Sequence, residues 1–350
     1  MSGGAVAAIR RRPGGAVPAS GRGRPLTPRS LSIGLSAVIV AASEHEPRVL
    51  TIRHPVPAGG KAIEALPAGP LEAEHRTLEI GLRSWVERQT SQRLGYVEQL
   101  YTFGDRDRLA AAEASANPAL TVAYLALARE VRASNALGGS AEAVWQSWYR
   151  YFPWEDWRTG KPQPLSAIEA GLGAWAAGAA SEAEARLREV RIQVAFGLDT
   201  ASWNEELVLE RYELLYEAGL VSEAARDRGL DVREANDVGV AMAVDHRRIL
   251  ATAVGRLRGK IKYRPVVFEL MPPAFTLSQL QRTVEALSGV RLHKQNFRRL
   301  VEQQGLVEET GDITAATGGR PARLVRFRRE VLLERPAPGL RLRAGRRMSG

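Results

Sequence analysis

The chain has 350 residues, of which 45% are hydrophobic and 25% are charged, so it is long enough to form two or three domains with cores of their own. It contains no cysteine, which excludes disulfide bonds, thiolate zinc sites and cysteine nucleophiles. Its five histidines are scattered without metal-ligand spacing, and no apolar run is long enough to span a membrane. We therefore predict a cytoplasmic protein that has no membrane partner and requires no metal or other cofactor.

The net charge of +10 is distributed unevenly along the chain. Residues 246–350 contain 22 Lys and Arg against 8 Asp and Glu, and residues 1–30 contain 6 Arg and no acidic residue. The stretch 31–245 contains 21 basic and 31 acidic residues. An acidic body with one strongly basic C-terminal segment is typical of proteins in which a single domain binds nucleic acid.

The N-terminal part is predicted to form a mixed domain over 31–160. It follows a segment, 1–30, that is rich in Gly, Pro and Arg and that we expect to be a disordered basic tail. Strands are predicted at 31–40, 48–53, 96–103 and 120–128, with one helix at 78–92. Strands of this kind around one helix indicate an α/β or α+β domain.

An Ala-, Glu- and Arg-rich segment, 161–240, is predicted to be a helical insertion. Its helices are expected at 165–180, 182–194, 205–218 and 222–228. Gly171, Gly173 and Gly178 faintly resemble a dinucleotide fingerprint, but no strand precedes them, so we expect them to serve helix packing. The role of the insertion stays open between dimerisation, a lid over a pocket and an extra ligand site.

A cluster of seven aromatic residues lies just before the insertion, between Trp145 and Trp157. Such a cluster can stack a nucleobase. We favour the simpler interpretation, a patch of core or interface.

The basic segment 241–330 has the element order of a winged helix-turn-helix. A helix over 247–257 is followed by one that begins with a capping box, Thr276 and Gln279, and that ends at Gly289. The recognition helix is predicted over 292–305. Two short strands, 306–308 and 324–327, are then expected to enclose a basic wing, 311–321, before a basic tail over 331–350.

The outward face of the predicted recognition helix carries side chains that can reach base edges and phosphates. These are Lys294, Gln295, Asn296, Arg298 and Arg299. In the wing, Arg320 and Arg323 are expected to reach a flanking phosphate or the minor groove. The alternative is a helical cap with solvated charges, but the order of the elements favours DNA binding.

Residues 66–90 resemble a degenerate Nudix box. Counted from Gly69, Arg83 falls on the arginine of the Nudix pattern and Glu87 on one of its glutamates. Other carboxylate positions hold His75, Ser84 and Arg88. Nudix hydrolases hold divalent cations with several carboxylates on one helix face, and these metals activate water against a pyrophosphate. One carboxylate beside Arg88 should not hold such a cluster, so we expect no catalysis and no catalytic residue, although a nucleotide pocket can persist.

Six motifs in order resemble the Nudix-related transcriptional regulators of NAD metabolism (NrtR-like), and the insertion over 161–240 resembles that of a longer alphaproteobacterial branch of these regulators. The six motifs are YVEQLYTFGDRDR at 96–108, VAYLAL at 122–127, DHRRIL at 245–250, FTLSQLQ at 275–281, NFRR at 296–299 and GRPA at 319–322. The resemblance covers roughly 30–155 and 241–328 and implies a Nudix-like α/β/α sandwich domain, a helical insertion and a C-terminal winged helix-turn-helix, in an α+β fold.

The resemblance also implies a function. Family members are bacterial homodimers that repress genes of NAD synthesis or salvage and respond to ADP-ribose or a related adenine nucleotide. We therefore expect a double-stranded DNA operator with inverted half-sites and an effector such as ADP-ribose, NAD or ATP. The effector pocket is expected to involve Arg53, Arg83, Glu87, Arg88, Tyr101 and Phe103. Alternatives are an active Nudix hydrolase of ADP-ribose or a related nucleoside diphosphate derivative, and a nucleic-acid-binding accessory protein without a ligand.

Overall fold

The centre of the molecule is a seven-stranded sheet in which β1 (Ile33–Ala42) is a middle strand. The computed structural model describes residues 32–54, 63–104, 120–130, 142–230, 238–315, 321–335 and 338–340. These all belong to one of two compact units, 32–350, and the other unit is 1–31. The predicted N-terminal tail lies outside the described residues.

The sheet is mixed, with one parallel pair of strands among antiparallel ones. Its main path runs β3 (Ile63–Ala65), β2 (Pro47–His54), β1, β6 (Leu120–Leu127) and β5 (Tyr96–Phe103). Two further strands join it, β4 (Ala68–Pro70) beside β1 and β7 (Glu142–Ser147) beside β2. β1 is antiparallel to β2 and parallel to β6, and β5 is antiparallel to β6 with an irregularity between Gln99 and Tyr101.

The four strands predicted in this domain are confirmed within two residues, whereas β3, β4 and β7 were not predicted. Strands of three residues are too short to show an alternating pattern, and β7 coincides with the start of the aromatic cluster. The helix α1 (Leu78–Thr90) begins at Thr77, whose hydroxyl accepts a hydrogen bond from the Ile80 amide.

The two faces of the sheet carry separate cores because side chains alternate along each strand. Leu35, Ala37 and Ile39 of β1 pack on one face with Leu82 and Val86 of α1. The opposite face belongs to a much larger core that contains residues from every later part of the chain. Members of that core are Val38, Phe103, Trp148, Leu172, Tyr212, Val254, Leu280 and Val301.

The segment 161–240 forms helices, as predicted: α2 (Leu165–Ala177), α3 (Glu182–Phe196), α4 (Val208–Glu217) and α5 (Ser222–Asp227). Its apolar sides share the larger core with the sheet and the C-terminal part. The boundaries at 160 and 240 stay predictions. A Cβ on Gly171 would lie 2.9 Å from the Leu220 side chain, so this glycine serves packing.

The aromatic cluster is core, as we favoured. Trp148, Tyr151, Phe152 and Trp154 are completely buried, and Phe152 meets the ring of Tyr212 on α4 edge to face, with centroids 6.4 Å apart.

The C-terminal part consists of α6 (His246–Tyr263), α7 (Leu277–Ser288), α8 (Lys294–Gln304), β8 (Val307–Thr314), β9 (Ala322–Phe327) and α9 (Val331–Glu334). The helix α6 continues beyond the predicted end at 257 and stops before Pro265. This is expected because the residue that precedes a proline is disfavoured in the helical conformation. Within the predicted tail, Val331 and Leu340 are buried, so the chain packs as far as residue 340. No helix in the described ranges is long and apolar enough to cross a membrane.

Candidate nucleic-acid interface and effector pocket

The helix α8 presents a polar face to solvent. Phe297 and Val301 are buried beneath it, and Leu300 is partly exposed. The five predicted contact residues on this helix are all exposed: Lys294, Gln295, Asn296, Arg298 and Arg299. These three cations and two amides lie on the exposed part of the helix and can contact phosphates and base edges.

The preceding helix α7 starts with the predicted capping box. The Thr276 hydroxyl accepts a hydrogen bond from the Gln279 amide at 3.1 Å, and the Gln279 side chain accepts one from the Thr276 amide at 2.7 Å. One residue earlier, Phe275 exchanges two backbone hydrogen bonds with Val325 of β9. The helix-turn-helix and the wing are therefore fixed to each other by backbone contacts.

The wing is a hairpin of β8 and β9, longer than the two short predicted strands. Arg323 on β9 is 72% exposed and pairs with Glu309 at 2.7 Å, and Arg326 pairs with Glu308 at 2.6 Å. Exposed pairs of this kind contribute about 0–1 kcal/mol, so Arg323 can exchange its partner for a phosphate at little cost. Arg320 lies outside the described residues.

The N-terminal end of α7 is held by the turn between β1 and β2. The Glu44 carboxylate accepts a hydrogen bond from the side-chain amide of Gln279 at 2.9 Å and pairs with Arg282 at 2.8 Å. The sheet domain therefore contacts the first helix of the helix-turn-helix directly.

The C-terminal end of α7 is held by the aromatic segment. Tyr149 donates to the carbonyl oxygen of Ala286 at 2.7 Å, and the Trp157 amide donates to the carbonyl oxygen of Gly289 at 2.7 Å. Gly289 has a φ of +76°, and a Cβ there would lie 2.2 Å from the Glu155 carbonyl oxygen. Only glycine allows this turn to approach so closely.

A buried network of ion pairs joins the C-terminal end of α7 to the insertion and to α6. Glu155 is completely buried and pairs with Arg211 of α4 and with Arg258 of α6, each at 2.5 Å. Arg258 also donates from Nε to the carbonyl oxygen of Leu287, the second-last residue of α7, at 2.9 Å. Burial alone would raise the pKa of the Glu155 carboxyl, but the two arginines hold it below its usual value.

The region that resembles a Nudix box is held by an aromatic ring and a cation. The Trp85 indole donates to the carbonyl oxygen of Pro70 at 2.8 Å and covers Gly69, where a Cβ would lie 2.1 Å from the ring. The Arg88 guanidinium lies 3.9 Å from the centroid of the Trp85 ring and donates to Glu72 at 3.3 Å. Arg88 is therefore held in place by both the Trp85 ring and the Glu72 carboxylate.

The other predicted residues of this region have partners of their own. Glu87 pairs with Arg93 at 3.2 Å, and Arg83 pairs with Glu79 at 2.8 Å and donates to the Gly95 carbonyl oxygen at 3.1 Å. Among the residues that the structure describes, no group of three or more His, Asp or Glu side chains is placed to hold a metal ion.

The six predicted effector residues do not converge on one place. Arg53 lies on β2 and pairs with Glu64 at 3.5 Å. Arg83, Glu87 and Arg88 lie on α1, which packs on one face of the sheet, whereas Phe103 belongs to the core of the opposite face.

Tyr101 and Phe103 do line a common cavity, whose volume is about 690 Å³. Its other described lining residues are Thr102, Gly104, Leu120, Leu209, Glu213, Arg248 and Thr252. The sequence did not indicate Glu213 and Arg248, since the first is in the insertion and the second is in the first predicted helix of the DNA-binding segment 241–330. Arg248 pairs with Glu213 at 2.5 Å, so the cavity wall holds one cation and one carboxylate beside an exposed aromatic ring.

Comparison with known proteins agrees with this arrangement. Residues 267–327 match the NrtR DNA-binding winged helix domain. The ADPR responsive transcriptional repressor NtrR of Acinetobacter baylyi is 44% identical over 86 residues, which are 25% of this chain and 34% of that protein. The aligned part thus spans about a third of the length of this relative.

One of the similar solved structures has the same fold. Shewanella oneidensis NrtR complexed with a 27mer DNA matches with a TM-score of 0.50 at 19% identity, covering 85% of this chain and 94% of that chain. The NUDIX domain of that protein complexed with ADP ribose matches with a TM-score of 0.31 at 21% identity, over 42% of this chain and 89% of that chain.

The fold is therefore a Nudix-like domain joined to a winged helix-turn-helix DNA-binding domain. Residues 267–327 are similar to the NrtR DNA-binding winged helix, and the similarity to the Acinetobacter repressor extends over 86 residues.

Proposed function

We propose that the protein is a ligand-responsive DNA-binding repressor of genes for NAD synthesis or salvage in the bacterial cytoplasm. The observation that carries this proposal is the exposed polar face of α8, which lies within a segment matching the NrtR DNA-binding winged helix. The name of the Acinetobacter relative, a transcriptional repressor, supports the direction of regulation.

DNA recognition is assigned to α8 and the wing. Lys294, Gln295, Asn296, Arg298 and Arg299 enter the major groove, and Arg320 and Arg323 contact a flanking phosphate or the minor groove. A homodimer would place two recognition helices on inverted half-sites. Because phosphate contacts release counterions, affinity should fall steeply as the salt concentration rises.

The effector is proposed to be an adenine nucleotide, with ADP-ribose first because the Acinetobacter relative is described as ADPR responsive. NAD and ATP share the same adenylate group and stay candidates. Of the six predicted effector residues, we favour Tyr101 and Phe103, because they line the cavity that α4 and α6 complete. The Tyr101 ring is 62% exposed and offers a surface on which adenine can stack.

The position of this cavity suggests how a ligand would act on DNA binding. Arg248 and Thr252 in its wall belong to α6, and Arg258 on the same helix contacts the last turn of α7. A ligand that binds more tightly to one placement of α6 would favour the matching placement of α7 and α8, and it can shift DNA affinity only by that difference.

Catalysis is not part of the proposed function. At the box positions, Arg88 lies over the Trp85 ring and Glu87 pairs with Arg93, which supports the expectation that these residues do not bind a metal cluster. The alternative, an active hydrolase of ADP-ribose, predicts release of AMP with magnesium or manganese and its loss in Glu87→Gln. We expect no AMP release above the background of a no-protein control.

The experiment that tests the proposal is a gel-shift titration with upstream DNA of NAD-synthesis genes, repeated with ADP-ribose, NAD and ATP. We expect a sequence-specific complex that one of the nucleotides weakens or strengthens. If no upstream fragment is bound in preference to random DNA of the same length, the proposed function is wrong.

A further inference from the structure

The insertion helix α3 has an apolar stripe on its solvent side. Leu187, Val190 and Val194 are 61%, 49% and 54% exposed, and Ala183 is exposed one turn earlier. Their spacing of four, three and four residues is that of the a and d positions of a coiled coil, which form a seam for another helix.

The exposed apolar stripe of α3 is distinct from the face of the helix that packs into the core. Ile192, Ala195 and Phe196 are buried against the rest of the molecule. At about 100° per residue, the exposed stripe lies on the opposite side of the helix from these three residues. A surface helix of a monomeric protein needs one apolar face, and the second one is left without a partner within the described part of the chain.

We infer that α3 docks on the α3 of a second copy of this chain, antiparallel and about a twofold axis. This inference rests on the homodimer of the proposed function and specifies its surface. In this arrangement Leu187 packs against the partner subunit's Val190 and Ala183 against the partner subunit's Val194. The two contacts repeat on either side of the axis, as a twofold interface requires.

The charges beside the stripe select the antiparallel direction. In heptad terms Glu184 and Arg191 are at e positions and Arg186 is at a g position, and such residues set helix orientation. The antiparallel pair places Glu184 opposite the partner subunit's Arg191, which is attractive. A parallel pair would place Arg186 against the partner subunit's Arg191, which is repulsive.

Intramolecular ion pairs extend this complementarity. Glu184 already pairs with Arg188 at 2.6 Å and Arg191 with Glu217 at 2.6 Å. Across the axis these pairs would join into a row of alternating charge. Networks of this kind contribute more than isolated surface pairs.

Cysteine cross-linking tests the register because the natural chain has no cysteine. In the antiparallel dimer, position 183 faces position 194 of the partner, whereas two copies of position 183 are about 16 Å apart along the helix, too far for a disulfide. A mixture of Ala183→Cys and Val194→Cys proteins should therefore form the mixed dimer at least about tenfold faster than either protein alone. Equal rates in all three samples would overturn the inference.

Sedimentation measures association separately from DNA binding. Leu187→Glu with Val190→Glu should halve the mass of the particle at micromolar concentration, because it buries like charges at the seam. The matched control is Leu332→Glu with Leu333→Glu, two leucines that are also exposed but lie on α9, and it should keep the wild-type mass. An unchanged mass in the α3 variant would overturn the inference even if operator binding persisted.

Discussion

The phenolic hydroxyl of Tyr149 donates a 2.7 Å hydrogen bond to the carbonyl oxygen of Ala286. The tyrosine follows the last strand of the sheet, and the alanine is in the last turn of α7. This bond is buried, so it lies where water cannot replace it.

Tyr149→Phe should lower the free energy of unfolding by about 1–3 kcal/mol, since it leaves a buried carbonyl oxygen without its donor. The measurement is urea unfolding followed by tryptophan fluorescence. Tyr101→Phe, which removes a hydroxyl from a ring that is 62% exposed, is the control and should change stability by less than about 0.5 kcal/mol. Equal effects of the two variants would show that the buried bond contributes nothing.

The same hydroxyl predicts a loss of stability in alkali. Burial raises the pKa of Tyr149 from 10 to about 12, so the folded state binds this proton more tightly than the unfolded state does. Its contribution is complete below pH 10 and is lost as the pH rises through about 12. Between these values wild type should lose more stability than Tyr149→Phe does. Parallel pH profiles of the two proteins would contradict this assignment.

Glu155→Gln should destabilise the protein by about 3–5 kcal/mol, because it leaves Arg211 and Arg258 buried without their counter-charge. The control is Glu210→Gln, an exposed glutamate on α4 beside Arg211, which should cost less than about 0.5 kcal/mol. Calorimetry of both variants checks the result. A small effect at Glu155 would mean that the two arginines remain solvated.

If the effector binds in the cavity, a substitution there should weaken effector binding without changing DNA binding. Tyr101→Ala should weaken ADP-ribose binding about tenfold through loss of the stacking surface and leave effector-free operator affinity unchanged. Tyr263→Ala is the matched control, since its ring is also 62% exposed but lies outside the cavity lining. Calorimetric titration of both variants decides the question, and equal weakening would place the effector elsewhere.

The sequence was sufficient to predict the helices and strands that have strong apolar periodicity or a capping motif. The Thr276–Gln279 capping box located the start of α7 to the residue. The strand 96–103 was predicted with its observed bounds. These signals are local, and each is contained in about ten residues.

The missed features depend on distant parts of the chain. Nothing local distinguishes Glu155, Arg211 and Arg258 from solvated charges, because each is buried only when the aromatic segment, α4 and α6 meet. For the same reason the sequence did not place Arg248 in the cavity wall, nor did it show that the residues predicted for the effector pocket lie on different faces of the sheet. Polar wing strands such as β8 lack the apolar alternation that predicts a strand.

Operator affinity of recognition-helix variants tests the central claim most directly. Fluorescence anisotropy with a duplex selected from the organism's own DNA would compare wild type with Arg298→Ala, Arg299→Ala and the control Arg76→Ala, an exposed arginine before α1. We predict a loss of about 1–3 kcal/mol of binding free energy for a base-contacting arginine, or a shallower salt dependence for a phosphate-contacting one, with no change for the control. Wild-type affinity and salt dependence in both α8 variants would contradict the claim that this helix reads DNA.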